Sequence, residues 1–324
     1  MLIVAALGGN AMLQRGEALT EDNQRRNIRR AAKPLADLVR AGHRLVVTHG
    51  NGPQVGLLAL QGIAYKPDEL FSLDVLGAES EGMIGYMIEQ ELENELAHQV
   101  PVATLLTQVI VDARDPAFRN PTKFIGPLYD YEEARTRADH LGWQIARDGD
   151  HWRRVVPSPR PAEIPDLNII RFLIERGAIA ICAGGGGIPV IRRPDGSLTG
   201  VEAVIDKDAV SARLAIELGA DRLLLLTDVD GVYRDFGTDH ATRLSHLTLA
   251  EAEGIDALEK LQEHENEDIY AGAVDLLERF FGGGAIVFGS AFLVAEGVTE
   301  VFRCSIDTIF VAALLPANHM HAVR

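Results

Sequence analysis

Leu2-Ile3-Val4-Ala5-Ala6-Leu7, running into Gly8-Gly9-Asn10, is the stretch that decides the fold, because its pattern recurs three times. Leu45-Val46-Val47-Thr48 runs into His49-Gly50-Asn51-Gly52, Ala178-Ile179-Ala180-Ile181 into Gly184-Gly185-Gly186-Gly187, and Leu223-Leu224-Leu225-Leu226 into Thr227-Asp228. Each run is short and apolar throughout, as strands buried on both faces of a parallel sheet are. In such sheets ligands sit beyond the carboxyl ends of the strands, where loops expose backbone N–H groups. Glycine there lets the main chain approach a phosphate or carboxylate closely. The pattern predicts an α/β fold built around a small, polar, anionic ligand.

The 324 residues suffice for one large α/β domain or two lobes, and the composition, 47% hydrophobic and 24% charged, is that of a globular protein. A net charge of −16 argues against nucleic-acid binding. It also means that an anion must be met by individual lysines or amide nests set against an unfavourable overall field. Two cysteines, Cys182 and Cys304, support neither a disulfide framework nor a zinc cluster. The start, Met1-Leu2-Ile3-Val4, carries no basic region or cleavage site. No apolar stretch approaches the ~20 residues that cross a bilayer. A cytoplasmic protein with no membrane partner is expected.

Between the strands, Thr20 to Ala41 reads as an amphipathic helix with a stripe of Ile28, Ala32, Leu35 and Val39, in which Pro34 argues for a kink or break. Pro53 suits the first turn of a helix after the second loop. Helices are predicted from Glu79 to Ala97, Asn168 to Glu175 and Ala209 to Leu218, and one strand from Val102 to Val111. Residues 112–165 are rich in proline, charge and aromatic side chains, and form a lid or a small inserted subdomain. Glu251 to Phe281 reads as a charged helical region, with short strands at Ala285–Gly289 and Thr299–Phe302. The apolar stretch Ile306–Leu315 suits a core strand, a patch for a partner, or a tail.

No GxxxxGK[ST], GxGxxG, GxSxG or HExxH sequence is present. What remains is the glycine loops and two lysines. Lys207 stands between Asp206 and Asp208, and Lys123 lies within the proline-rich segment. Phosphoryl transfer needs in-line positioning and positive charge on the equatorial oxygens, which lysines and amide nests supply. A solvated turn is the plainer reading of Asp-Lys-Asp taken alone.

Six motifs stand in a fixed order: Ala6-Leu7-Gly8-Gly9-Asn10-Ala11, His49-Gly50-Asn51-Gly52-Pro53-Gln54-Val55, Pro121-Thr122-Lys123, Val155-Val156-Pro157-Ser158-Pro159, Gly184 to Pro189, and Gly200 to Asp208. In this order they resemble the carbamate kinases of the amino acid kinase superfamily, from the first residues to about Leu249. The resemblance implies an open three-layer αβα sandwich with a mostly parallel central sheet and a small protruding subdomain at residues 112–165. Residues 1–205 would form a carbamoyl-phosphate lobe, 206–302 a nucleotide lobe and 303–324 a divergent tail. The implied activity is reversible phosphate transfer between ATP and carbamate, giving ADP and carbamoyl phosphate. Mg2+ would travel with the nucleotide, with no metal held by protein ligands, and the assembly would be a homodimer. The alternative is a weakened or inactive relative serving as a ligand-binding or regulatory subunit. A kinase for another small acid is a weaker third reading, because the HGNGPQV loop belongs to the carbamate branch.

By the same resemblance, Gly8, Gly9, Asn10, Gly50, Asn51 and Gly52 would hold carbamoyl phosphate. Lys207 and Lys123 would contact the transferring phosphoryl group, and Asp206 would orient the lysines. Gly184, Gly185, Gly186, Asp208, Asp228 and Tyr233 would border the nucleotide. Plainer readings are a tight strand–helix turn for Gly8-Gly9, a hinge for the four glycines and a core aromatic for Tyr233. His49 is read as bracing the second loop. In the last quarter the family carries a phosphate-contacting lysine near a late helix, and that position falls at about Ala273 in Asp268-Ile269-Tyr270-Ala271-Gly272-Ala273, with Lys260 the nearest lysine upstream. Activity weakened at the nucleotide side is therefore also expected.

Overall fold

A computed structural model describes residues 1–13, 17–66 and 70–226, together with the strand segments 232–234, 242–244, 298–304 and 309–314. The chain opens with β1 (Leu2–Leu7), α1 (Gly9–Met12), α2 (Glu21–Arg40), β2 (Arg44–His49), α3 (Gly52–Tyr65) and α4 (Leu73–Glu95). Next come β3 (Val102–Thr104), β4 (Gln108–Val111), β5 (Lys123–Tyr129), α5 (Tyr131–Leu141), β6 (Gln144–Asp148), β7 (His151–Val156) and β8 (Pro161–Glu163). They are followed by α6 (Leu167–Glu175), β9 (Ile179–Ile181), β10 (Ile188–Arg192), β11 (Leu198–Gly200), α7 (Lys207–Leu218) and β12 (Arg222–Leu226). The remaining described strands are β13 (Val232–Arg234), β14 (Thr242–Leu244), β15 (Val298–Cys304) and β16 (Ile309–Leu314).

Seven strands form the central sheet in the order β15-β16-β12-β1-β2-β9-β3. The pairs from β12 to β3 are parallel, and only β16 and β15 join antiparallel. Alternation along β1 decides the layers, since side chains of a strand point to opposite faces. Ile3, Ala5 and Leu7 pack with Ile28 and Leu35 of α2 and Ile84 and Ile88 of α4. Leu2 and Val4 pack on the other face with Ile170 of α6 and Val210 and Leu214 of α7. The three-layer αβα sandwich follows from that division. Leu7 is in register with His49 on one side and Leu226 on the other, so the glycine loops emerge along one edge.

Several local expectations are corrected. Val102–Val111 is two strands, because β3 pairs with β9 in the central sheet while β4 pairs with β10 in a second sheet, ordered β11-β10-β4-β8. Helix α2 runs unbroken through Pro34, held by its buried stripe of Ile28, Ala32 and Leu35, with the Thr20 hydroxyl accepting from the Asn23 N–H. Helix α4 starts at Leu73, six residues before Glu79. Ile309–Leu314 is a strand of the central sheet, which answers one of the three readings of that stretch. The helical region 251–281 and the strand at 285–289 lie outside the described residues.

Residues 112–165 divide between two sheets. β8 pairs with β4 in the second sheet, whereas β5, β7 and β6 form a separate three-stranded sheet carrying α5. The root of that sheet is packed tightly. A Cβ added at Gly56 of α3 would come within 2.3 Å of Gly126 Cα in β5, so the two backbones meet where only glycine fits. Ile125 and Val156 join Val55 and Val204 in a small apolar cluster beside it.

Candidate active site

The loops after β1, β2 and β9 meet the start of α7 and the start of β5 around a cavity of about 310 Å³. Gly8, Gly9, Gly50, Asn51, Gly52, Lys123, Gly185, Asp206, Lys207 and Asp208 line it. These are sequence-predicted residues from five separate segments. Gly184 and Gly186, both buried, are not among the residues that line the cavity. Asn10 falls in the short helix α1. Tyr233 falls in β13, and Asp228, Lys260 and Ala273 lie outside the described residues.

Asp206 is where the charged groups converge. It is the N-cap of α7, its Oδ1 accepting from the N–H groups of Asp208 at 2.9 Å and Ala209 at 3.2 Å. An aspartate at this position satisfies helix donors that have no partner within the helix. The helix thus begins at Lys207, two residues before Ala209, and Asp-Lys-Asp is a capped helix start and not a solvated turn. Asp206 Oδ2 accepts from Lys123 Nζ at 2.6 Å across 83 residues of chain. Lys207 Nζ pairs with Asp208 Oδ1 at 2.5 Å. Two lysines and two aspartates leave these four groups formally neutral. The N-termini of α3 and α7, both of which reach the cavity, tilt the local field toward anions.

Helix α7 is tied to the central sheet beneath the cavity. Ser211 Oγ donates to the Lys207 carbonyl at 2.6 Å and lies 2.6 Å from Thr48 Oγ1 of β2. The second loop is near enough that a Cβ at Gly50 would come within 3.2 Å of the Gly9 nitrogen and 3.6 Å of Lys207 Cδ. The third loop packs directly on its neighbours: Gly185 has φ +66°, and a Cβ there would come within 2.1 Å of the Asn51 amide. Only glycine tolerates both the left-handed backbone and that approach.

His49 is fully buried, with Nδ1 3.0 Å from the Gly50 carbonyl. Burial pushes its pKa down to about 4, and the charge of Lys207 acts in the same direction. It does not line the cavity, so a neutral ring bracing the loop fits its surroundings. Glu81 of α4 is the acidic residue that sequence reasoning missed. It is 1% exposed, and burial pushes its carboxyl up to about 8, with Asp166 adding to the rise and the N–H groups of Gly184 and Thr107 opposing it. Its signal was a carboxylate three residues before Ile84 and seven before Ile88, hence on the buried stripe of the helix.

These two groups predict a pH dependence of stability. His49 titrates lower in the folded chain than unfolded, so its contribution is lost as pH falls from about 6.5 toward 4. Glu81 titrates higher in the folded chain, so its contribution is present below its unfolded pKa near 4.5 and is lost as pH rises toward 8. The two oppose each other at acid pH, and Glu81 acts alone above about 6.5. Urea denaturation between pH 6.5 and 8 is expected to show stability falling with pH, and a flatter slope in Glu81→Gln. An equal slope in both proteins would refute the assignment.

Comparison with known proteins follows the same lines. The pattern of the amino acid kinase family matches residues 1–281. The chain belongs to the amino acid kinase family. That match continues past Leu249, where the resemblance read from the sequence ends. The chain is 57% identical over 240 residues to the carbamate kinase of Rhizobium meliloti, covering 74% of each chain. It is 47% identical over 294 residues to that of Escherichia coli K12, covering 87% of this chain and 97% of the relative. Among solved structures, the carbamate kinase of Giardia lamblia bound to AMP-PNP is 39% identical, with a TM-score of 0.70 over 87% of this chain and 90% of that one. The amino acid kinase fold of this chain thus carries its glycine loops, Lys123 and the Asp206–Asp208 segment in one cavity. Among the described residues no helix is long and apolar enough to cross a membrane. No group of three or more His, Cys, Asp or Glu among them is placed to hold a metal ion.

Proposed function

We infer that this chain is a carbamate kinase, transferring phosphate reversibly between carbamoyl phosphate and ADP to give carbamate and ATP. The observation that carries the reading is the meeting of Lys123 and Lys207 with Asp206 and Asp208 where the glycine loops of β1 and β2 end. Identities of 47–57% to carbamate kinases supply the substrate class.

The phosphoryl group of carbamoyl phosphate would lie on the N–H groups of Gly8, Gly9, Gly50 and Gly52, with Asn51 beside it. A β-phosphate oxygen of ADP attacks the phosphorus in line, the P–O bond to the carbamoyl carbon's oxygen breaks, and carbamate leaves with that oxygen and its electrons. Charge spreads over three equatorial oxygens in a loose transition state, which fixed cations stabilise. Lys207 and Lys123 supply that charge by turning from their carboxylates to the phosphoryl oxygens. Asp206 keeps Lys123 in reach, and no strong base is needed because the attacking oxygen is already anionic. Gly184, Gly185, Gly186, Asp208, Asp228 and Tyr233 would border the nucleotide. A Mg2+ ion would enter on the nucleotide and not on protein ligands, since Asp206 engages both oxygens in the cap of α7 and with Lys123, and Asp208 Oδ1 is paired with Lys207. It would neutralise phosphate charge.

Residues 1–205 would then bind carbamoyl phosphate and 206–302 the nucleotide, with 112–165 covering the site. Lys123, at the start of β5, would be the part of that cover that enters the site, where it meets Asp206. A cytoplasmic homodimer completes the reading, and sedimentation giving a monomer at micromolar concentration would remove the dimer. The functional test is ATP formation, coupled to hexokinase, from Mg-ADP with carbamoyl phosphate or acetyl phosphate. Carbamoyl phosphate is expected to win by at least about tenfold in kcat/KM. Preference for acetyl phosphate would favour a different acid kinase, and no ATP from either would favour the regulatory alternative.

A further inference from the structure

Ser80 and Glu81, neighbours on α4, lie under the cavity and touch neither it nor solvent, at 0% and 1% exposure. Asn51 Nδ2 donates to Ser80 Oγ at 2.8 Å, and Ser80 Oγ donates to the Gly77 carbonyl at 2.9 Å. Gly184 N–H donates to Glu81 Oε1 at 2.8 Å, and Thr107 N–H to Glu81 Oε2 at 3.3 Å. Thr107 Oγ1 in turn accepts from the Ala183 N–H at 2.9 Å. One turn of α4 therefore grips the second glycine loop through Asn51 and the third through Gly184.

A loop of four glycines has no side chains with which to pack, and its backbone freedom is the largest the chain offers. Its place is set by close packing of its backbone and by hydrogen bonds to its main-chain N–H and C=O groups. Glu81 answers that need with an acceptor brought to the loop inside an apolar layer. A buried carboxyl there is unfavourable unless its oxygens are hydrogen-bonded, and here both are. Ser80 does the same for Asn51, whose amide is the surface against which Gly185 rests. The separation of Asn51 and Gly185, which both line the cavity, is thus set by two consecutive residues of one rigid helix.

We propose that Ser80 and Glu81 are positioning residues for phosphoryl transfer, clasping the Asn51 and Gly184–Gly187 loops at the spacing that the bound phosphorylated ligand spans. The proposal rests on the carbamate kinase reading of the cavity, and goes beyond it in assigning the clasp. Glutamine at position 81 keeps a carbonyl oxygen for the Gly184 N–H, whereas leucine fills the space without an acceptor.

The test compares Glu81→Gln, Glu81→Leu and Ser80→Ala by steady-state kinetics with carbamoyl phosphate and Mg-ADP, thermal unfolding, and amide hydrogen exchange over residues 49–55 and 182–190 without ligand. Glu81→Gln is expected to stay within about threefold of the parent in kcat/KM, and Glu81→Leu to raise KM about tenfold or more. Exchange over 182–190 should quicken in the leucine variant and stay near parental in the glutamine variant. Ser80→Ala should raise KM about threefold and quicken exchange over 49–55 with little change in Tm. Should Glu81→Leu fail to fold, Ser80→Ala decides alone. A lowered Tm with parental KM and parental loop exchange would mean simple packing and overturn the clasp, as would equal losses in the glutamine and leucine variants. If the parent makes no ATP, the functional reading fails separately, and the exchange patterns still decide whether the loops are clasped.

Discussion

Replacing Lys207 with alanine is expected to lower kcat by about 10²-fold or more while leaving the protein folded. Lys207 is the first residue of α7, and the cap that starts the helix belongs to Asp206, so the helix loses nothing it depends on. Alanine is also the better helix former. What disappears is one of two fixed positive charges in the described cavity of a chain whose net charge is −16. Its effect is greatest where charge develops on the phosphoryl oxygens, so kcat should fall more than KM rises. Lys207→Arg should not restore the rate, since a planar guanidinium cannot take the place of a compact ammonium beside Asp208. An alanine variant turning over within about threefold of the parent would remove Lys207 from the mechanism.

Asp206 carries two duties that substitutions can separate. Asn and Asp are nearly equal as N-caps, so Asp206→Asn should change stability by less than about 0.5 kcal/mol, while Asp206→Ala should cost about 1 kcal/mol. Both variants lose the carboxylate that holds Lys123 at 2.6 Å. In the asparagine variant kcat is expected to fall about 10- to 100-fold at nearly parental stability, as seen by urea titration beside the kinetic assay. Full activity in Asp206→Asn would reduce Asp206 to a helix cap. Lys123 would then find its place from β5 alone.

The central strands were legible because their signal is local. β1, β2, β9 and β12 each contain a short apolar run that leads into a loop bearing glycine or aspartate, and the residues alone show both features. Val102–Val111 was not legible, since the break at Thr107 reflects a change of partner from β9 to β10 that no window of sequence contains. Pro34 does not break α2, because a single lost N–H is a local cost, whereas α2 is held by its packing on the sheet. In the site, the ordered motifs brought the lysines and glycine loops together before any coordinates did. The pairing of Lys123 with Asp206 joins positions 83 residues apart, and Asp206 looked like part of a charged turn until its cap bonds were seen. Glu81 was hidden for another reason. One acid in a helix reads as solvent-facing unless its place on the apolar stripe is counted.

The most direct measurement is phosphorus-31 NMR of the purified protein mixed with carbamoyl phosphate and Mg-ADP. The carbamoyl phosphate resonance should decline as the γ-phosphate resonance of ATP grows in equal amount, and neither should change at a comparable rate with Lys207→Ala. A folded parent protein that leaves carbamoyl phosphate and ADP unchanged, or that releases inorganic phosphate without forming ATP, would contradict the account.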